Sequence, residues 1–180
     1  MKPQMKKAAA AAAAATACAT LLVGAGSGSA FAQGAHAPAG CSTADLKVAL
    51  HPDDNQAGVG NFGEDLVFTN ASRQTCTVYG YPGLGLLGST HGALPIKVVW
   101  GSTYFVHDPG RHTVTLRPGQ SAWADLAWNA PYGVKSVKPA YLEVTPPNQW
   151  THVTLRFAPG AIDDSALHVT ALAAGSAPRV

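Results

Sequence analysis

The chain has 180 residues, and 12 % of them are charged, about half the usual ~25 % share. The formal net charge is +2 with histidines neutral. These values exclude a strongly basic nucleic-acid binder, an acidic tail protein, a highly charged disordered chain and a large multidomain enzyme.

Residues 1–32 read as a secretory signal peptide. Lys2, Lys6 and Lys7 precede an apolar run from Ala8 to Val23, and small residues end in Ala30-Phe31-Ala32 before Gln33. A basic start, a short apolar core and an A-x-A site are what export machinery reads. The run is too short and too weakly hydrophobic for a membrane span, which needs ~20 apolar residues. Cys18 is a poor lipoprotein site: Ala15-Thr16-Ala17 lacks the usual leucine, and Leu21-Leu22-Val23 would follow the cut. Cleavage after Ala32 leaves 148 residues, with nine Lys+Arg against ten Asp+Glu. That is the size of one ordinary domain. Cys41 and Cys76 then remain as an even pair, expected to form one disulfide in an oxidising compartment. With no anchor after residue 32, the expected location is extracellular, free in the medium or associated with the cell wall. The mature chain is expected to be a monomer without a membrane span.

Residues 33–40 are rich in Ala, Gly and Pro and read as a flexible leader to a single domain, 41–180. No long window there shows the helical spacing i, i+3, i+4, i+7; period-two alternation recurs between Gly, Pro and Asn turns. Leu46, Val48 and Leu50 form one apolar face, and Leu66 and Phe68 the next. Cys76 and Val78 follow on a short strand. Tyr81-Pro82-Gly83 suits a type II turn. Leu84 to Leu87 leads into a hairpin turn at Gly88-Ser89-Thr90-His91-Gly92. Leu94, Ile96, Val98 and Trp100 alternate most clearly. Val114 and Leu116 precede Pro118-Gly119. Ala122, Ala124, Leu126 and Trp128 alternate with Trp123, Asp125 and Ala127. Leu142 and Val144, then Val153, Leu155 and Phe157, then Leu167, Val169 and Ala171 close the chain. About nine short strands predict an all-β, immunoglobulin-like antiparallel β-sandwich with one disulfide. Each strand is expected to be apolar on one face only.

Several segments occur in an order and spacing that resemble a known family. They are Cys41-Ser-Thr-Ala-Asp-Leu46, Phe68-Thr-Asn-Ala-Ser72, Cys76-Thr-Val-Tyr-Gly-Tyr-Pro-Gly83, Arg117-Pro-Gly-Gln-Ser-Ala122 and Tyr141-Leu-Glu-Val-Thr-Pro-Pro147. The family is domain of unknown function 4232, exported actinobacterial β-sandwich domains, and the resemblance runs from about Cys41 to Leu172. It implies a secreted or envelope-anchored protein with no established activity and no catalytic residues to carry over. Many members have a second cysteine pair; the corresponding regions here read Val137-Lys138 and Asp163-Asp164. The resemblance therefore implies the fold but not a second crosslink.

Candidate chemistries are sparse. Gly83-Leu-Gly-Leu-Leu-Gly88 matches a dinucleotide fingerprint, but a turn precedes it and no helix opens on it; it reads as a glycine-rich strand and turn. Asp53, Asn55, Gly58, Asn61 and Glu64 fit a calcium-loop count, but Ala57 interrupts the oxygen ligands and the flanks read as strands. Seven histidines are present. His51, His91, His107 and His112 lie in or beside turns. His152 and His168 are expected to face water, and no H-x-H or H-x-x-x-H places two ligands together. No G-x-S-x-G occurs in the mature chain. Asn70-Ala-Ser72 matches a glycosylation sequon but is expected to cap a turn.

The candidate binding face is Tyr141, Trp150, His152 and Arg156. If Val153, Leu155 and Phe157 face inward, Trp150, His152 and Arg156 face outward, and Tyr141 and Glu143 share that side. Exposed Trp, Tyr and Arg together are typical of binding patches; the plainer alternative is cross-strand pairing. The expected function is a non-catalytic binding or structural module of the envelope or medium. It would use no cofactor and no metal, and its partner would be an envelope protein or polysaccharide rather than nucleic acid. Two alternatives remain. One is a small metal- or histidine-dependent extracellular hydrolase using histidines around His107 and His112, whose segment could close a hairpin on a metal. The other is a partner or inhibitor of an envelope protein that uses the Trp100–His112 loop.

Overall fold

The computed structural model describes residues 37–132, 135–163 and 166–177, without the side chains of residues 53–55. The segment read as a signal peptide, 1–32, and residues 33–36, half of the expected leader, lie outside these residues. The described residues belong to one unit, His36–Val180.

A 3-10 turn, Thr43–Asp45, starts the domain. The Asp45 carboxylate closes it by accepting from the Ser42 amide at 2.9 Å and the Ser42 hydroxyl at 2.6 Å. These two bonds hold the Asp45 pKa below its ordinary value. Every described residue that follows is in strand, turn or loop.

Six strands form the larger sheet. β1 (Leu46–Gly58) and β2 (Asn61–Asn70) make a long hairpin. Its turn contains Val59 and Gly60, both left-handed. The calcium-loop count therefore falls on a β-hairpin. The edge hairpin continues through β8 (Ser121–Asn129) and β13 (Ala166–Val169) to β6 (Lys97–Trp100). β14 (Ala173–Ala174) adds to the end of β8. The smaller sheet has the order β11 (Val153–Arg156), β10 (Tyr141–Thr145), β4 (Gly83–Leu87) and β5 (Ala93–Leu94). Two short ladders complete the fold: β3 (Cys76–Tyr79) with β7 (Thr113–Leu116), and β9 (Ser136–Val137) with β12 (Ile162–Asp163).

One apolar cluster joins these elements. Leu66, Phe68, Ala124, Leu126 and Leu167 come from the larger sheet, Leu86, Leu142 and Val144 from the smaller, and Val78, Val114 and Leu116 from the β3–β7 ladder. Period-two alternation aims all of them at one interior. The architecture is all-β and sandwich-like, with the Cys41–Cys76 disulfide formed. That bond pins the entry of the chain to β3, where the Cys41 amide also donates to the Thr77 carbonyl at 2.8 Å.

Four local expectations need correction. Leu94 to Trp100 is not one strand. Pro95 has no amide for a ladder, and the chain crosses there from the smaller sheet (β5) to the larger (β6), leaving Trp100 exposed. β6 then runs parallel to β13, Leu167 opposite Val98; alternation alone carries no strand direction. The left-handed glycine before β4 is Gly80, not Gly83, so Tyr81-Pro82-Gly83 is not a type II turn. Finally, β8 is buried on both faces from Ala122 to Trp128; the loop before β7 lies over its second side, where Thr103 bonds to Asp125 and Tyr104 to Asn129.

Asp125 shows how that cover is held. It is fully buried on the outer side of β8 and directly opposite Asp65 of β2. The Thr103 hydroxyl donates to its carboxylate, and its amide donates to the Thr170 hydroxyl at 2.9 Å. Thr103 Oγ1 also accepts from the Val106 amide at 3.0 Å. Tyr104 packs on His168, ring centroids 5.3 Å apart. His168 is therefore half-buried rather than free in water. Burial, and secondarily the Lys97 charge, lower its pKa from the ordinary 6.5.

Candidate functional site

The outer face of the smaller sheet carries three of the four residues that the sequence singles out. Register places Tyr141 opposite Arg156 on β11 and opposite Leu87 on β4; Glu143 lies opposite Thr154 and Gly85. Directly opposed residues share a face. The Arg156 guanidinium lies 5.7 Å from the Tyr141 ring centroid. His91, absent from the sequence-derived set, stacks on the same ring at 4.1 Å and 20°. It does so from a left-handed backbone, φ 60°, which only the tight Gly88–Gly92 turn requires. Glu143 pairs with His152 at 3.0 Å. Gly85 leaves room for this, because a Cβ there would sit 3.0 Å from the Glu143 carboxylate. Tyr141, Glu143, His152 and Arg156 are thus engaged with neighbours on the sheet. Trp150 stands apart on the β10–β11 hairpin, 98 % exposed.

A second surface gathers residues that the sequence does not join. Tyr79 ends β3, Tyr81 follows Gly80, Trp100 ends β6, and Arg111 comes from the loop before β7. Together with Asn148 of the β10–β11 turn they line an open cleft of about 250 Å³. Tyr81 and Trp100 stack with centroids 5.3 Å apart and planes 12° from parallel. The Arg111 guanidinium carbon lies 5.6 Å from each centroid. Gly80 permits this arrangement. Its φ of +87° turns the chain out of β3, and the Arg111 stem runs past the side where a Cβ would sit. Tyr81 is fixed by donating its hydroxyl to Asp108 Oδ2 at 2.5 Å, and that bond raises the Tyr81 pKa. Asp108 Oδ1 in turn accepts from the Ala171 amide at 2.8 Å. Trp100 and Tyr79 remain 53 % and 47 % exposed.

The signal for this cleft was present in two separate places. Tyr79 and Tyr81 fall within the Cys76–Gly83 segment, and Trp100 and Arg111 bracket the loop read as a recognition segment. Only the β3–β7 ladder and the crossing at Pro95 bring them together. The middle of that loop covers β8, so its two ends, not its centre, face the cleft.

The histidines considered for metal are held separately. His107 Nδ1 lies 3.0 Å from the Ser102 hydroxyl, and His112 Nδ1 lies 2.9 Å from the Gly110 carbonyl. Among the described residues no three His, Cys, Asp or Glu side chains group as a metal set. No helix among them is long and apolar enough to cross a membrane.

The fold and its disulfide define an all-β, sandwich-like domain stapled at its entry. The chain belongs to the family described as Domain of unknown function (DUF4232), whose model matches residues 41–173. No curated protein and no solved structure matches the chain.

Proposed function

We propose that the protein is an exported, non-catalytic binding module of the cell envelope or medium, and that the Tyr79–Tyr81–Trp100–Arg111 cleft is its binding surface. Export is supported by the basic, apolar and small-residue order of residues 1–32 and by a disulfide, which persists in oxidising compartments. The observation that carries the binding reading is the half-exposed Trp100 beside Arg111 and two tyrosines in one cleft. Trp, Tyr and Arg dominate binding hot spots, because each offers a large contact area with a polar or charged end. The Tyr141 face ranks second. Its ring is already occupied by His91 and Arg156, and its acid, Glu143, by His152.

The test is co-sedimentation of the purified protein with isolated cell envelope. The protein pellets with the envelope, and Tyr79→Ala with Trp100→Ala abolishes pelleting while the fold is kept. Tyr141→Ala with Trp150→Ala leaves pelleting unchanged. Unchanged pelleting of the Tyr79/Trp100 variant would sink the assignment of the cleft, and no pelleting of the unaltered protein would sink the envelope reading.

A further inference from the structure

We infer that the cleft takes an acidic sugar residue, its carboxylate on Arg111 and its ring against Trp100 and Tyr79; this rests on the binding role proposed for the cleft. The charge of Arg111 points to the acid. Among the described residues no carboxylate lies within 4.0 Å of its guanidinium, and the guanidinium makes no hydrogen bond to them. Asp108, three residues earlier, has one carboxylate oxygen taken by the Tyr81 hydroxyl and the other by the Ala171 amide. Arg111 thus keeps a planar fork of donors for an incoming carboxylate, the geometry that guanidinium recognises best. The two stacked rings hold the guanidinium itself, and its stem runs along Gly80.

The shape of the cleft points to a sugar. At about 250 Å³ it falls below the ~300–1,000 Å³ typical of enclosed small-molecule pockets. It is open, with ring faces exposed beside polar groups. A pyranose presents an apolar CH face to an aromatic ring and hydroxyls around its rim. Asn148, which carries an amide, and Tyr79, which carries a hydroxyl, also line this cleft. The Tyr81 hydroxyl is already committed to Asp108, so Tyr81 contributes its ring only.

The test is calorimetric titration of the purified protein with trigalacturonic acid and, in parallel, with the neutral trisaccharide maltotriose. The acidic trisaccharide binds, and the neutral one binds at least about tenfold more weakly, as expected when one charge-assisted contact is missing. Arg111→Gln weakens the acidic ligand by about tenfold or more, and Arg111→Lys, which keeps the charge but loses the fork, weakens it less. Raising the salt concentration weakens the acidic ligand. Arg111 is exposed, so both variants fold, and their melting curves verify it. Equal binding of the two trisaccharides overturns the acidic preference while leaving the cleft a binding site. If neither binds but the protein still pellets with envelope through Trp100, the sugar class is wrong. If neither binds and pelleting is also absent, the binding reading itself fails.

Discussion

At the scale of single residues, Asn70 shows how one buried amide organises a corner. It has no solvent exposure, and its whole hydrogen-bonding capacity is used. Nδ2 donates to the Gln74 carbonyl at 2.7 Å and the Leu116 carbonyl at 2.8 Å, and Oδ1 accepts from the Ser72 amide and hydroxyl. Asn70→Ala removes both donations, to the Gln74 and Leu116 carbonyls, and the acceptor of the Ser72 amide, and is expected to destabilise the protein by about 2–4 kcal/mol. Ser72→Ala is expected to cost about 1 kcal/mol. Urea unfolding of both variants checks this. The Asn70-Ala-Ser72 segment thus holds a turn, as its sequence suggests. His168 gives a pH prediction. Its lowered pKa means that the unfolded chain takes up the proton first as pH falls below 6.5. The stabilisation from neutral His168 is therefore complete above 6.5 and is lost as pH falls through the depressed folded value. Lys97→Ala should raise the folded value without restoring 6.5, since burial is the larger cause. Titration of the imidazole signals by NMR reads both effects.

At the scale of elements, alternation located the longer strands, but not the two-residue strands β9, β12 and β14, nor what surrounds each strand. Leu66 and Phe68 on β2, and Leu142 and Val144 on β10, face the core as their spacing requires. β8 alternates equally well, yet both of its faces are buried, because a loop some twenty residues earlier folds back over it. A period-two pattern reports which residues share a face, not what lies above that face. The same limit explains the site. Tyr141, Arg156 and Glu143 were legible as neighbours, since one short hairpin joins them. Tyr81, Trp100 and Arg111 were not, since three separate elements supply them. The tryptophans test this distinction. Trp128 is 4 % exposed and packs edge-on to Phe157 at 5.2 Å, so Trp128→Ala is expected to cost about 3–5 kcal/mol. Trp150→Ala, at a fully projecting side chain, is expected to change stability by no more than about 0.5 kcal/mol. The β9–β12 ladder makes a further prediction. It pairs Ser136 with Asp163 and Val137 with Ile162, in the regions where the family resemblance places a second cysteine pair. Directly paired antiparallel residues lie within disulfide range. Ser136→Cys with Asp163→Cys is therefore expected to crosslink spontaneously under oxidising conditions, seen as a mass two hydrogens lighter.

At the scale of the whole molecule, one covalent bond and one core hold the domain. The disulfide spans 35 residues. In the chain-entropy view it stabilises the fold by about 4 kcal/mol. Cys41→Ser with Cys76→Ser should lower stability by an amount of that order, measured by denaturant midpoint. The two half-cystines were legible from their even count, and the sandwich-like architecture from the strand spacing. The crossing at Pro95, which turns Trp100 outward and completes the cleft, was not, because no local pattern records which sheet a short strand joins. The claim that this cleft is the working surface is tested most directly by the indole N–H signals of the four tryptophans during titration with soluble fragments released from the cell envelope. Trp100 should shift while Trp123, Trp128 and Trp150 stay in place. A shift of Trp150 with Trp100 unmoved would place binding on the β10–β11 hairpin and contradict it.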